Sequence, residues 1–196
     1  MILLDPDLAF HTPPRSISAV RRGVEDRPAK NHPDRMPSAR TLEGFLREAR
    51  AAVRLRGQVT VLLTTDPAIR RLNRQFRGKD KATDVLSFPA ASPAANAVAG
   101  DLAISVPTAQ RQALEQGHAL SAEIKVLMLH GLLHLAGYDH EVDRGSMARR
   151  EMILRKKLGL PVGLIERAGE MKRKLAPKRQ AKGLIVAKTA RVGART

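Results

Sequence analysis

Residues 130–140 read HGLLHLAGYDH, and three of the chain's six histidines fall within them. His130 and His134 are four residues apart, so on a helix they share a face one turn apart, and two imidazoles can reach one ion. Gly137 can take the left-handed conformation that ends a helix. The chain can then reverse and carry His140 back toward the same point. Three neutral imidazoles leave the fourth position of a tetrahedral zinc open for water, which is the pattern of a catalytic rather than a structural ion. The ion lowers that water's pKa toward about 7 and makes a nucleophile. Core histidines bonded to carbonyls are the plainer alternative. It suffices for one histidine on an apolar face, not for three at ligand spacing across a helix stop. Asp139, Glu141 and Asp143 stand close by. One of them can orient a ligand imidazole from outside the coordination sphere, or all three can be turn and N-cap residues.

The same spacing occurs in metzincin proteases, HExxHxxGxxH, where the second position is a glutamate base. Here it is Gly131. A zinc-bound water lacks that proton acceptor, so peptide hydrolysis by this route is disfavoured. The spacing argues for shared coordination geometry, and the glycine for space beside the ion.

Several elements must position these residues. SAEIKVLMLHGLLHLA (121–136) predicts a helix with Ser121 as N-cap and Glu123 in its first turn, where the dipole favours an acid. It is apolar nearly all round, hence central. A helix from Ser38 to about Leu55 buries Leu42, Phe45, Leu46, Ala49 and Val53. VTVLLTT (59–65) is a strand. Asp66 and Pro67 then supply an N-cap and a proline at the first helical position. The next helix carries Ile69, Leu72 and Phe76 on one side and Arg70, Arg74 and Arg77 on another, and Gly78 ends it. TDVLSFP (83–89) and GDLAIS (100–105) are strands, and PTAQRQALEQ is a short helix closed by Gly117. A last helix from near Asp143 puts Met147, Leu154 and Leu158 on one face, and Gly159 and Pro161 stop it. Residues 1–10 form a short strand that Pro6 confines to a sheet edge. The domain spans 1–165, with a Pro-rich insertion at about 11–37, and 166–196 is a basic tail, disordered by itself. Few strands among several helices indicate an α+β fold.

The 196 residues carry a net charge of +16, which bears on partners rather than fold. Nucleic acid is the first expectation and an anionic membrane surface the second. Nine Lys/Arg and no acid lie between Lys172 and Thr196. RRLNRQFRGKDK (70–81) sets six Lys/Arg against one acid. Aromatics are 3%, too few for an extended stacking platform, so phosphate contacts must dominate any RNA affinity. The absence of cysteine excludes disulfides and thiolate metal sites. MILLDPDLAF lacks the pattern of a signal peptide, and no run approaches the roughly 18 apolar residues of a membrane span. A cytoplasmic location follows as the expectation, with no membrane partner.

HGLLHLAGYDH, with FRGKDKATDVLSFP upstream and GDLAIS between, resembles the YbeY family of bacterial rRNA-maturation endoribonucleases. The motifs occur in order over about residues 59–158. The resemblance implies a zincin-like single domain, a small mixed sheet packed with helices around a buried metal-binding helix. It implies one Zn²⁺ per chain on His130, His134 and His140, and Arg77 as a functional arginine. It further implies cleavage of single-stranded RNA in rRNA maturation and small-subunit quality control, with the small ribosomal subunit and assembly factors as partners. Arg70, Arg74, Lys79 and Lys81 are then candidate RNA contacts, although a solvated face accounts for Arg70 and Arg71 as well. An arginine fork at 77 can hold the scissile phosphate. Thr83, Asp84 and Ser87 can line a basic groove between the helix ending at Arg77 and the metal helix, although ordinary strand surface accounts for Thr83 and Ser87 as well, and Asp84 or Asp139 can stand behind the ligands. Asp84, a metal hydroxide or the RNA's own 2′-hydroxyl can supply the base. Two other readings remain: a metal-dependent hydrolase of another substrate, and a non-enzymatic RNA-binding assembly factor with structural zinc.

Overall fold

The structure, a computed structural model, describes residues 1–11, 35–90, 98–140 and 142–161. Most of the Pro-rich insertion, the loop at 91–97, Glu141 and the basic tail lie outside those residues.

The apolar run at 59–65 becomes β2, Gln58–Thr64, and its alternation organises the molecule. Val59, Val61 and Leu63 point to one side and are buried. β1 (Ile2–Leu4) and β4 (Val98–Ser105) flank β2 in parallel, and β3 (Val85–Pro89) pairs antiparallel with β4. The order β1-β2-β4-β3 leaves β1 and β3 as edges, so the first strand lies where Pro6 requires. Pro6 itself starts a 3-10 helix, Pro6–His11.

Two helices cover the face of the sheet that carries Val61, Leu63, Leu102 and Ile104, and a third packs on one of them. α1 (Ala39–Val53) is capped by Ser38, whose hydroxyl accepts the Thr41 N–H at 3.2 Å, and it buries the expected five residues. α4 (Leu120–Leu135) is enclosed on all sides, and Ile124, Leu127, Met128, Leu129, Leu132 and Leu133 are wholly buried. α5 (Ser146–Lys157) adds Met147 and Leu154 to the same core. Each such aliphatic side chain contributes about 1.5–3 kcal/mol relative to exposure. α3 (Val106–Gln116) follows β4 directly, sends Ala109 into this core, and stops at Gly117. α2 (Asp66–Arg77) lies alone on the other face, where Ile69 meets Leu86 and Ala103. The result is the expected α+β fold: among the described residues, a mixed four-strand sheet with five α-helices.

Several local expectations are corrected. The N-cap of α2 is Thr65, not Asp66; its hydroxyl accepts the Ala68 N–H at 3.4 Å. The Asp66 carboxylate is drawn off by donors at the start of α3: Ser105, Thr108 (2.7 Å) and Arg111 (3.0 Å). Burial pushes the Asp66 carboxyl up, but these hydrogen bonds outweigh it and hold the group below its ordinary range. α4 starts at Leu120, with Ala119 rather than Ser121 at the cap, because Leu120 joins the core. Glu123 does more than face the dipole: it is fully buried, 2.6 Å from His118 Nε2. α5 starts at Ser146, and Asp143 reaches forward to accept the Gly145 (3.0 Å) and Met147 (2.7 Å) N–H groups. Phe76 shares a side of α2 with Ile69 without sharing its burial. It is 59% exposed, and its ring rests edge-to-face on Phe88 at 5.1 Å.

Candidate metal centre

His130 and His134 close the C-terminal turns of α4, with their Nε2 atoms 3.2 Å apart. A tetrahedral ion with metal–nitrogen bonds of about 2.0–2.1 Å holds its nitrogens roughly 3.3 Å apart, so this pair already has ligand spacing. Gly137 takes φ +87°, as expected of a helix stop, and the Tyr138 N–H bonds back to the Leu133 carbonyl at 3.1 Å. The reversal brings His140 back. Its ring centre lies 5.4 Å from that of His130 and 5.3 Å from that of His134. One nitrogen of each imidazole lies within 4.8 Å of the others. The cluster can therefore hold a metal ion. His130 is buried, His134 half-buried and His140 exposed, so the site opens to solvent on one side.

Burial and the two neighbouring imidazoles hold His134 below the ordinary histidine pKa, against a smaller opposing pull from Asp139. The ring stays neutral and keeps a lone pair for an ion near pH 7.

Asp139 is thus near His134, but the expected place for Asp84 is not found. Asp84 accepts the Val85 N–H (2.8 Å), the Thr83 hydroxyl (3.1 Å) and the Gln112 amide (3.0 Å), bonds that tie the entry of β3 to α3. The carboxylate behind the histidines is Glu151, with Oε2 3.1 Å from His130 Nδ1. Its Oε1 accepts Arg155 Nε at 2.8 Å and Nη2 at 2.5 Å. Burial pushes the Glu151 carboxyl up, but the His130 hydrogen bond and the Arg155 charge bring it below its usual range. The sequence carried a signal for it: Glu151 shares the 147/154/158 stripe of α5, where an acid among apolar residues must find a partner.

Gly131 is also explained differently. A Cβ there would stand 2.7 Å from Leu102 Cδ2 and 3.2 Å from Ser87 Oγ. The glycine lets α4 approach the sheet; it does not clear space around an ion. Ser87 is accordingly directed at α4, with its hydroxyl donating to the Gly131 carbonyl at 3.4 Å.

Arg77 ends α2, exposed, before Gly78 at φ +66°. It lies across β3 from the histidines, on the opposite face of the sheet, but both occupy the same end of the β3–β4 ladder. Phe76, its neighbour, rests on Phe88, whose partner is Asp101. Gly100, next to that pair, lies so close to α4 that a Cβ there would stand 2.8 Å from Leu135 Cδ2. Arg74, Lys79 and Lys81 are exposed around this helix end. Arg70 differs. Both arms of its fork go to Asp80 at 2.8 Å, so it ties the 78–81 loop to α2 instead of offering a free fork to phosphate.

No helix among the described residues is long and apolar enough to cross a membrane. The family model "Endoribonuclease YbeY" matches residues 30–159. A Koribacter versatilis protein of that name is 51% identical over 143 residues, which cover 73% of this chain and 92% of the relative. Its Solibacter usitatus namesake is 55% identical over 126 residues, 64% and 83% of the two chains. A third, from Anaeromyxobacter dehalogenans, is 45% identical over 142 residues, 70% and 73% of the two. With this match, and with the two imidazoles of a buried helix joined by a third from the loop that follows it, the chain belongs to the YbeY family of endoribonucleases, hydrolases that act on RNA.

Proposed function

We propose that the chain is a zinc-dependent, single-strand-specific endoribonuclease acting in rRNA maturation and small-subunit quality control. The observation that carries this reading is the opening of the three-imidazole cluster to solvent at the same end of the sheet as Arg77. His130, His134 and His140 would hold one Zn²⁺, whose chemistry is to polarise a phosphate oxygen and acidify water. RNA crosses the outer edge of β3. Arg77 grips the scissile phosphate with its fork and offsets the charge that develops there. Arg74, Lys79 and Lys81 bind flanking phosphates, which makes affinity fall with salt. The exposed ring of Phe76 offers a face for an unpaired base, and this favours single strands over duplex. The ribosomal setting, with the small subunit and assembly factors as partners, is supported by the family membership and the charge of +16. A metal-dependent hydrolase of another substrate is the weaker reading, because the family match is to endoribonucleases.

Removal of metal with a chelator should abolish cleavage of a labelled single-stranded RNA, and Zn²⁺ should restore it. Undiminished cleavage after stripping would rule out a metal-dependent nuclease. Arg77→Ala should lower kcat by about 10²-fold, the scale of a lost oxyanion donor, with zinc affinity unchanged and Arg77→Lys partly restoring the rate. An unaltered rate in Arg77→Ala would remove the role given to this residue.

A further inference from the structure

Glu151 is an acid in the core, with 1% of its side chain exposed. A buried carboxylate is tolerated only when its charge and lone pairs are met. Its two oxygens are met differently. Oε1 takes two N–H groups of Arg155, itself 3% exposed. A third guanidinium nitrogen, Nη1, donates to the Pro161 carbonyl at 2.9 Å, so the guanidinium is anchored at two points. The acid and the guanidinium cancel in charge, and Oε2 is left facing His130 Nδ1. A neutral imidazole has one donor and one acceptor nitrogen, and a carboxylate only accepts. Nδ1 of His130 must then carry the proton, and Nε2 keeps the lone pair. That Nε2 is the atom standing 3.2 Å from Nε2 of His134.

We infer that Glu151 is a positioning residue for the metal centre: it fixes His130 as the Nδ1–H tautomer, with Nε2 turned to the ion, while Arg155 holds Glu151 in place. This rests on the metal reading above. A carboxylate–histidine–metal relay of this kind orients the ring and raises its basicity as a ligand. The competing role is structural, an ion pair that fastens α5 to the segment at Pro161.

The two roles separate in Zn²⁺ affinity, measured on the full chain by competition with a chromophoric chelator. Glu151→Gln removes the charge and lets an amide N–H face Nδ1, which favours the wrong tautomer. It should bind Zn²⁺ about 10–100-fold more weakly than wild type, the usual effect of losing such a partner. A folded Glu151→Gln with wild-type affinity would overturn the role, whatever its melting temperature. Should the variant not fold, the wild type decides through long-range ¹H–¹⁵N spectra of its histidines. A proton on Nδ1 of His130 supports the inference, and a proton on Nε2 overturns it. His134→Ala is the reference: if wild type binds Zn²⁺ no more tightly than it does, the metal reading fails and this role with it. A weakened His134→Ala beside an unweakened Glu151→Gln defeats the role of Glu151 alone.

Discussion

His134→Ala should reduce cleavage of single-stranded RNA by at least about 10³-fold, roughly 4 kcal/mol in the barrier, while the protein stays folded. His134 is the middle ligand in the chain and only half-buried, and it lies outside the apolar core of α4. Truncating it leaves two imidazoles and no strained packing. His130→Ala is a poorer test. His130 is buried and bonded to buried Glu151, so its loss leaves that carboxylate short of a partner at about 1–3 kcal/mol. Activity and stability would fall together and could not be told apart. The measurement is a time course on a labelled oligonucleotide, with both proteins purified side by side and their melting curves compared. Equal cleavage by the two would mean that the histidines do no chemistry on RNA and that a contaminating nuclease is at work.

The second large effect is expected at a residue with no side chain. Gly131→Glu should leave little folded protein. The first added carbon already stands 2.7 Å from Leu102 Cδ2 and 3.1 Å from its Cδ1, and Leu102 is 1% exposed, so its side chain must shift against a packed core. Overpacking of this sort costs about 1–3 kcal/mol. Alanine would recover up to about 1 kcal/mol through helix propensity. Glutamate adds a carboxylate in the seam between α4 and the sheet, and an unpaired buried charge costs several kcal/mol more. The sum approaches the whole stability of a typical domain, about 5–15 kcal/mol. Thermal melting of Gly131→Ala and Gly131→Glu against wild type checks this. A Gly131→Glu protein that melts within a few degrees of wild type would show that position 131 is roomier than the contact with Leu102 implies.

Much of the framework was legible because local signals agreed with each other. The α1 stripe Leu42, Phe45, Leu46, Ala49 and Val53 is buried as its period requires. Gly78, Gly117 and Gly137 all take positive φ at helix ends. The histidine cluster was legible for the same reason: a helix and a stop convert spacing into proximity. What failed depended on partners distant in sequence. Asp66 looks like a cap until three donors from residues 105–111 claim it. Asp84 and Glu151 are both acids near the motifs, and only the packing of α5 against α4 selects Glu151 as the partner of His130. Gly131 invited a comparison with proteases because the motif reads along the helix. The constraint comes from across it, from Leu102 and Ser87 on the sheet.

The edge strand β3 lies between the two halves of the proposed site. Leu86 and Phe88 face α2 and its terminal Arg77, whereas Ser87, between them, faces α4 and its histidines. Side chains alternate strictly along a strand, so a slip of one residue exchanges the faces. Phe88 would then press on the Gly131 turn, and Ser87 would sit in the apolar nest of Ile69. In the proposed site the alignment of arginine to imidazoles is therefore a single adjustable quantity, like the lateral setting of two optical elements on one rail. A length change in the connection at 82–84 would displace both halves at once, and misalignment would be all or nothing.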